Sequence, residues 1–312
     1  MPAFPDKEYD MTKKILFACF ALLAVTASLA SAKPSKKSKN ADDSATKEVL
    51  RTATEDFVRI EAGTFMMGID HYLYEDYEPV HSVTLTRDYY MCDHEVTNAE
   101  YKAVMGKPSH RLSKGDDLPA VYVSWDKAID YCNTLSELKG LTPCYTKEKG
   151  KVTCDFSANG YRLPTEAEWE RAARAGDDST EVRVWSGVTE NPDWDRSTME
   201  NTLGEYAWLE YNSGNEMQPV KEKKPNAWGL YDMIGNAWEW CWDWEASISG
   251  GESVTDPTGP AVGSGPWGPK RVVRGGAAWD CGPNQSVAYR RGDKPMETHP
   301  FRGFRVVRTA DD

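Results

Sequence analysis

The chain has 312 residues and a formal charge of −12 at pH 7, from 49 acidic and 37 basic side chains. That balance argues against a nucleic-acid binder, which carries a basic face, and 40% hydrophobic with 28% charged residues is the range of a globular chain rather than a disordered one. The 12 tryptophans all lie at or after Trp125; with 24 glycines and 18 prolines they point to a loop-rich fold held by aromatic plates, and against long bundles or repeat arrays.

Lys13 and Lys14 precede an apolar run from Ile15 to Val25, and small residues follow, ending Ala30-Ser31-Ala32. Positive charge, greasy core and A-x-A ending form the pattern of a secretory signal peptide. The run has roughly half the ~20 residues that a helix needs to cross a ~30 Å hydrocarbon core, so a transmembrane anchor is the poorer reading. Met11 is the expected true start, because the acidic stretch Met1–Asp10 would spoil a basic leader. Cys19 lies too far from the cleavage site for a lipoprotein anchor. Residues 1–32 are read as the signal peptide, cleaved near Ala32, and the mature chain is expected to be exported, periplasmic or secreted. Residues 33–55 are polar and lack a hydrophobic period, which predicts a flexible tether.

Beyond Cys19 the cysteines are Cys92, Cys132, Cys144, Cys154, Cys241 and Cys281. Export would place them where disulfides persist. Cys144 and Cys154 bracket a polar stretch centred on Lys149-Gly150, which reads as a hairpin tip. A bridge there would stabilise by roughly 2–3 kcal/mol. Cys132 falls on the apolar stripe of a helix and is expected to be a buried free thiol.

One domain is expected over residues 56–309. Phe57–Phe65 alternates like an opening strand ending at Gly63. Val80–Arg87 alternates again, and Tyr89-Tyr90-Met91 continues an extended segment. Thr97-Asn98-Ala99-Glu100 has the capping-box form and starts a short helix to Met105. Ser124 opens a second helix, with Trp125, Ala128, Ile129, Cys132 and Leu135 on its buried stripe, closed by Gly140. A third begins at Pro164-Thr165, again with a capping box to Glu168, and ends at Gly176. After residue 177 the regular pattern fades into turns such as Asn191-Pro192 and Pro225-Asn226. Arg271–Arg274 and Phe304–Arg308 read as strands. Early helices and short strands make the fold class α+β, with much irregular chain. The tryptophans at 238, 240, 242 and 244 alternate like a strand with one aromatic face. They serve either as core plates or as a groove stacking carbohydrate or peptide. The five histidines show no ligand spacing and are expected on the surface and in turns. Arg290, Arg291, Arg302, Arg305 and Arg308 are expected to pair with acids, the alternative being an anionic pocket.

Six segments are specific in order and spacing: Glu95–Tyr101, Val123–Ala128, Asn159–Glu170, Gly229–Trp240, Arg274-Gly275-Gly276 and Gly303-Phe304-Arg305. Together they resemble the formylglycine-generating enzyme family, also called sulfatase-modifying factors, over essentially all of 56–309. The resemblance implies a single compact domain of low regular secondary structure, related to the C-type lectin fold, with calcium bound inside. It also implies an enzyme that uses oxygen to convert a cysteine of a sulfatase to formylglycine. Two cysteines on the loop after Gly-Gly hold copper(I) in that chemistry, and paired soft thiolates suit this ion.

The chain departs from the family on that loop. It reads Gly275-Gly276-Ala277-Ala278-Trp279-Asp280-Cys281-Gly282-Pro283-Asn284-Gln285, and only Cys281 is a thiol. The family's first active cysteine falls on Asp280, and its second on Gln285 or near Gly282, depending on the end counted from. Cys281 is the one candidate catalytic residue. Cys241 is its best remote partner, and the same two residues alternatively form a structural disulfide. The calcium pattern survives better, implying Asp232 and Glu239 by side chain and Gly235 and Ala237 by carbonyl. The alternative is that both acids cap turns and pair with arginines.

The leading expectation is therefore an exported, calcium-stabilised binding or accessory module lacking the two-cysteine copper site. Its partner would be an extended peptide, a glycan or an envelope protein, with no nucleic acid and no transmembrane helix in the mature chain. The alternative is an oxidase acting on an exported sulfatase through an altered thiol site, with copper(I) required only in that case.

Overall fold

The computed structural model describes residues 46–47, 49–51, 55–69, 79–177, 201–247, 251–280 and 286–310. All of these belong to one compact unit, Asp42–Asp312.

Two of the three principal helices start where the local chemistry says they must. Helix α1, Asn98–Met105, has Thr97 as N-cap, whose hydroxyl accepts from the Glu100 amide while the Glu100 carboxylate accepts from the Thr97 amide. Helix α3, Glu166–Arg174, repeats the device with Thr165 and Glu168. Helix α2, Trp125–Leu138, is capped by Ser124 alone. A further short turn, α4, covers Glu210–Ser213.

The strands are β1 (Phe57–Ile60), β2 (Gly63–Met67), β3 (His81–Leu85), β4 (Tyr89–Cys92), β5 (Tyr145–Glu148), β6 (Lys151–Cys154), β7 (Tyr161–Arg162), β8 (Trp238–Trp244), β9 (Val254–Thr255), β10 (Arg271–Arg274), β11 (Arg290–Asp293), β12 (Arg302–Gly303) and β13 (Val307–Thr309). They form four sheets, ordered β1-β4-β13-β7, β11-β10-β8-β12, β2-β3-β9 and the hairpin β5-β6. Most pairs are antiparallel; β12 runs parallel to β8, and β9 parallel to β3.

The sheet built on β8 and β10 is buried on both faces. Trp240 and Val273 enter one apolar cluster with α1 and α2, while Cys241 and Val272 enter the other with α3. Strand alternation produces this: neighbours along β8 point to opposite cores. Trp238 and Trp240 are core plates, whereas Trp242 and Trp244 are half-buried and, with Trp125, flank the Arg271 guanidinium.

Several expectations change. Phe57–Phe65 is two strands, because the chain turns at Glu61-Ala62 and Gly63 opens β2, close against the Arg171 guanidinium. Phe304–Val306 is not strand but the buried link between β12 and β13. Within 33–55, the described residues 46–47, 49–51 and 55 are helical, and Leu50 packs against the second core. Asn191-Pro192 lies outside the described residues, yet Leu203, Leu209 and Leu230 of the irregular region are fully enclosed. His81 and His94 are buried rather than at the surface.

The expected Cys144–Cys154 bridge is not formed, and both are free thiols. The hairpin register sets Tyr145, not Cys144, opposite Cys154. Cys144 turns inward, and its thiol donates to the Gly160 carbonyl at 3.3 Å. Cys132 is a buried free thiol, as expected. Among the described residues no helix is long and apolar enough to cross a membrane.

Gly160 brings β7 against α2. A Cβ there would sit 2.3 Å from the Thr142 carbonyl oxygen and 2.7 Å from Ser136 Oγ. Gly160→Ala is expected to lower the unfolding free energy by about 1–3 kcal/mol, the cost of overpacking, read from urea denaturation. A midpoint equal to wild type would refute this close approach.

Candidate functional site

The turn Gly229–Ala237 is shaped by left-handed residues, Asp232 (φ 53°), Gly235 (φ 80°) and Asn236 (φ 54°). Gly235 is required here, since a Cβ would lie 2.1 Å from the Trp208 carbonyl oxygen. Backbone bonds tie this turn to the loop after Gly275-Gly276: Gly235 N donates to Gly275 O at 2.9 Å, and Ala278 N to Asn236 O at 3.0 Å.

Beneath the turn three carboxylates are enclosed: Glu95, Asp232 and Glu239. Glu239 forms a fork with Arg305, whose Nε and Nη2 donate at 2.7 Å each, and accepts a third bond from Trp169 Nε1 at 2.8 Å. Glu95 accepts from the Ala237 amide at 2.9 Å and from Asn236 Nδ2 at 2.8 Å. Asp232 Oδ2 accepts from the Lys221 amide at 2.8 Å, but its buried Oδ1 has no hydrogen-bond partner. Burial, then the charges of Asp232 and Glu239, push Glu95 well above the usual carboxylate range. Burial, with Glu239 adding to it, pushes Asp232 up to about 6 against the pull of Arg305.

Of the four residues implied as calcium ligands, Asp232, Gly235, Ala237 and Glu239 do share this turn and the start of β8. Glu239, however, is the counter-ion of Arg305, so the arginine-pairing alternative describes it. Glu95 is the carboxylate that sequence reading missed. Its motif was visible, but no local spacing links it to Asp232, which lies 137 positions further along the chain.

On the loop, Asp280 is held twice through Oδ2, by Trp238 Nε1 and by the Ala277 amide, each at 2.8 Å. Its neighbour Trp279 is 45% exposed and stacks on Phe301 with ring centroids 5.3 Å apart and planes 7° apart. His299 packs beside both rings. Ala277 and Ala278 are fully buried. Cys281, Gly282 and Gln285 lie outside the described residues. Cys241 is a free thiol with no exposed surface, and the alternative that pairs it with Cys281 falls on a residue outside the described ones. The arginines pair as expected: Arg290 with Glu166, Arg291 and Arg302 with Asp293, and Arg305 with Glu239, while Arg308 lies over the Tyr90 ring.

A separate cavity of about 310 Å³ is lined by Met67, His81, Asp243, Trp244, Val254 and Arg290, among others. Asp243 accepts from the Glu166 amide at 2.8 Å. Burial, and then the Glu166 charge, push its carboxyl up to about 7.

Comparison with known proteins agrees with the motif reading. The profile of the family described as sulfatase-modifying factor enzyme 1-like domain matches residues 42–310. The chain is 32% identical over 280 residues to the chaperone protein LppX of Paenibacillus barcinonensis, covering 83% of this chain and 91% of that protein. It is 31% identical over 212 residues to the formylglycine-generating enzyme of Streptomyces coelicolor, covering 67% of this chain and 55% of that enzyme. Among solved structures, Treponema denticola variable protein 1 superposes with a TM-score of 0.70 at 34% identity, covering 81% of this chain and 95% of that one. PvdO from Pseudomonas aeruginosa shares the fold, with a TM-score of 0.59 at 24% identity, covering 81% of this chain and 94% of that one.

Asp243 fixes the sign of one pH effect. An acid whose folded pKa is raised binds more protons folded than unfolded between the two values, so stability falls as pH rises. The window runs from the ordinary 3.8 to about 7. The urea midpoint is expected to fall between pH 4.5 and 7.5, and the fall to be smaller in Asp243→Asn. Equal slopes in the two proteins would contradict the assignment.

Proposed function

The chain belongs to the sulfatase-modifying-factor family, and from that premise we propose that it is an exported, calcium-stabilised binding or accessory module in which the family's copper oxidase chemistry is lost. The observation that carries this reading is Asp280. At the position of the family's first active thiol stands a hard carboxylate, already committed to Trp238 and to the Ala277 amide. Copper(I) prefers soft sulfur. The loop sequence offers it one thiol, Cys281, and Cys241 is sealed in the core on the far side from Trp240. The relative LppX, matched over 91% of its length and named a chaperone, supports an accessory role.

The surface presented beside Asp280 suits binding. The exposed Trp279 stacks on the half-buried Phe301 to form a ledge, and such rings take sugar faces or peptide side chains at little entropic cost. The occupant is an extended peptide, a glycan or an envelope protein. Export rests on the basic, apolar and A-x-A leader.

Calcium fits the chemistry of the turn. Three enclosed carboxylates face one guanidinium there, and Asp232 Oδ1 lacks a donor. A hard cation would be held by Asp232 and by the carbonyl oxygens of Gly235 and Ala237, with Glu95 as the nearer second charge. It would neutralise the carboxylates and lock the turn that carries the Trp279 loop.

Two measurements test the reading. Incubation of the reduced, copper(I)-loaded chain with a Cys-x-Pro-x-Arg peptide under oxygen is expected to leave the peptide mass unchanged. Conversion to the aldehyde, lost in Cys281→Ser, would establish the oxidase instead. Separately, chelating calcium is expected to lower the melting temperature, since a ligand bound only by the native state stabilises it, and Asp232→Asn should abolish the difference. An unchanged melting temperature in saturating chelator would remove the site.

A further inference from the structure

A second metal-binding geometry lies outside the turn. Among the described residues, one group of three His, Cys, Asp or Glu side chains brings its ligand atoms within 4.8 Å of one another: Cys92, Asp93 and His94. We propose that Cys92 Sγ, His94 Nδ1 and Asp93 Oδ1 form a site for a borderline divalent ion, zinc(II) foremost, with a water completing four-coordination.

The backbone makes the pairing. Cys92 ends β4, and Asp93 and His94 form the bend that follows, which brings the ligand atoms of all three to one place. Both side chains are buried, and Sγ lies 3.7 Å from Nδ1. Bonds of about 2.3 Å to sulfur and about 2.0 Å to nitrogen at the tetrahedral angle would set those atoms about 3.5 Å apart. Asp93 Oδ1 lies 2.5 Å from the same Nδ1. That is a hydrogen-bond separation, which a metal would widen. Asp93 is the outermost of the three, with its side chain 14% exposed.

The outer contacts carry the case further. A metal-binding histidine characteristically donates its other ring nitrogen to a carboxylate, which fixes the tautomer. Here Nε2 lies 3.3 Å from Glu100 Oε1. Glu100 is itself pinned, because its Oε2 accepts from the Thr97 amide in the capping box of α1. Asp93 Oδ2 is oriented by Lys221 Nζ at 2.8 Å. A thiolate, a carboxylate and a neutral imidazole balance a +2 ion. The competitor for the same place is a proton. Burial opposes charge on the ring, but Cys92, Asp93 and Glu100 outweigh it and hold His94 well above the usual imidazole range. Metal binding must therefore release that proton.

The full, reduced chain should be titrated with cobalt(II) as a spectroscopic stand-in and then competed with zinc(II). One equivalent is expected to give a thiolate-to-cobalt charge-transfer band, which zinc abolishes. Cys92→Ser should remove the band. Asp93→Asn, outermost and tolerant, should weaken binding at least about tenfold with an unchanged circular dichroism spectrum. Cys154→Ser and Asp232→Asn should keep the band, which separates this site from the other thiols and from the calcium turn. A folded wild-type chain without the band, or a band that survives Cys92→Ser, would overturn the proposal.

Discussion

Arg305 brings a guanidinium with no exposed surface against Glu239 of β8, which is equally enclosed, and neither charge could remain there alone. Removing one partner of such a pair costs about 3–5 kcal/mol, chiefly because the other is left buried and uncompensated. The fork also joins distant parts of the chain: Arg305 lies between β12 and β13, Glu239 begins the central sheet, and Trp169 of α3 donates to the same carboxylate. The guanidinium further donates to the carbonyls of Cys92 and Tyr231. The turn Gly229–Ala237, the end of β4 and the C-terminal strands therefore converge on one side chain.

A second enclosed network repeats the arrangement on the other side of α3. Glu170 bridges Arg174 and Arg274, and Glu166 pairs with Arg274 and Arg290. These contacts fasten α3 to β10 and β11. In the central sheet Arg274 and Arg302 are met by carboxylates, and Arg271 is flanked by the rings of Trp125, Trp242 and Trp244. At the cluster of Glu95, Asp232 and Glu239, by contrast, Arg305 faces three enclosed acids. That imbalance, with the unpartnered oxygen of Asp232, is what the calcium proposal rests on.

Local rules were legible in the sequence and long-range ones were not. The capping boxes at Thr97 and Thr165 and the apolar stripe of α2 are set within a few residues, and the structure places them as read. The Trp238–Trp244 alternation gave a strand, but not that its two faces enter different cores. Cys144 and Cys154 bracket a true hairpin, yet register, which the spacing does not state, puts a tyrosine across from Cys154. Glu95 joins Asp232 only through the fold. His94 lacks any familiar histidine spacing, and its company with Cys92 and Glu100 emerges only when β4 runs into the cap of α1.

The proposed function turns on the Gly-Gly loop, where Asp280, engaged with an indole and an amide, stands at the position that the family resemblance gives to a thiol. If that substitution has ended the copper chemistry, Cys281 should contribute nothing to copper(I) affinity. The most direct measurement is chelator competition for copper(I) by the reduced wild-type chain and by Cys281→Ser. The expected result is superimposable isotherms. A tight site in the wild type that disappears in the variant would contradict the account.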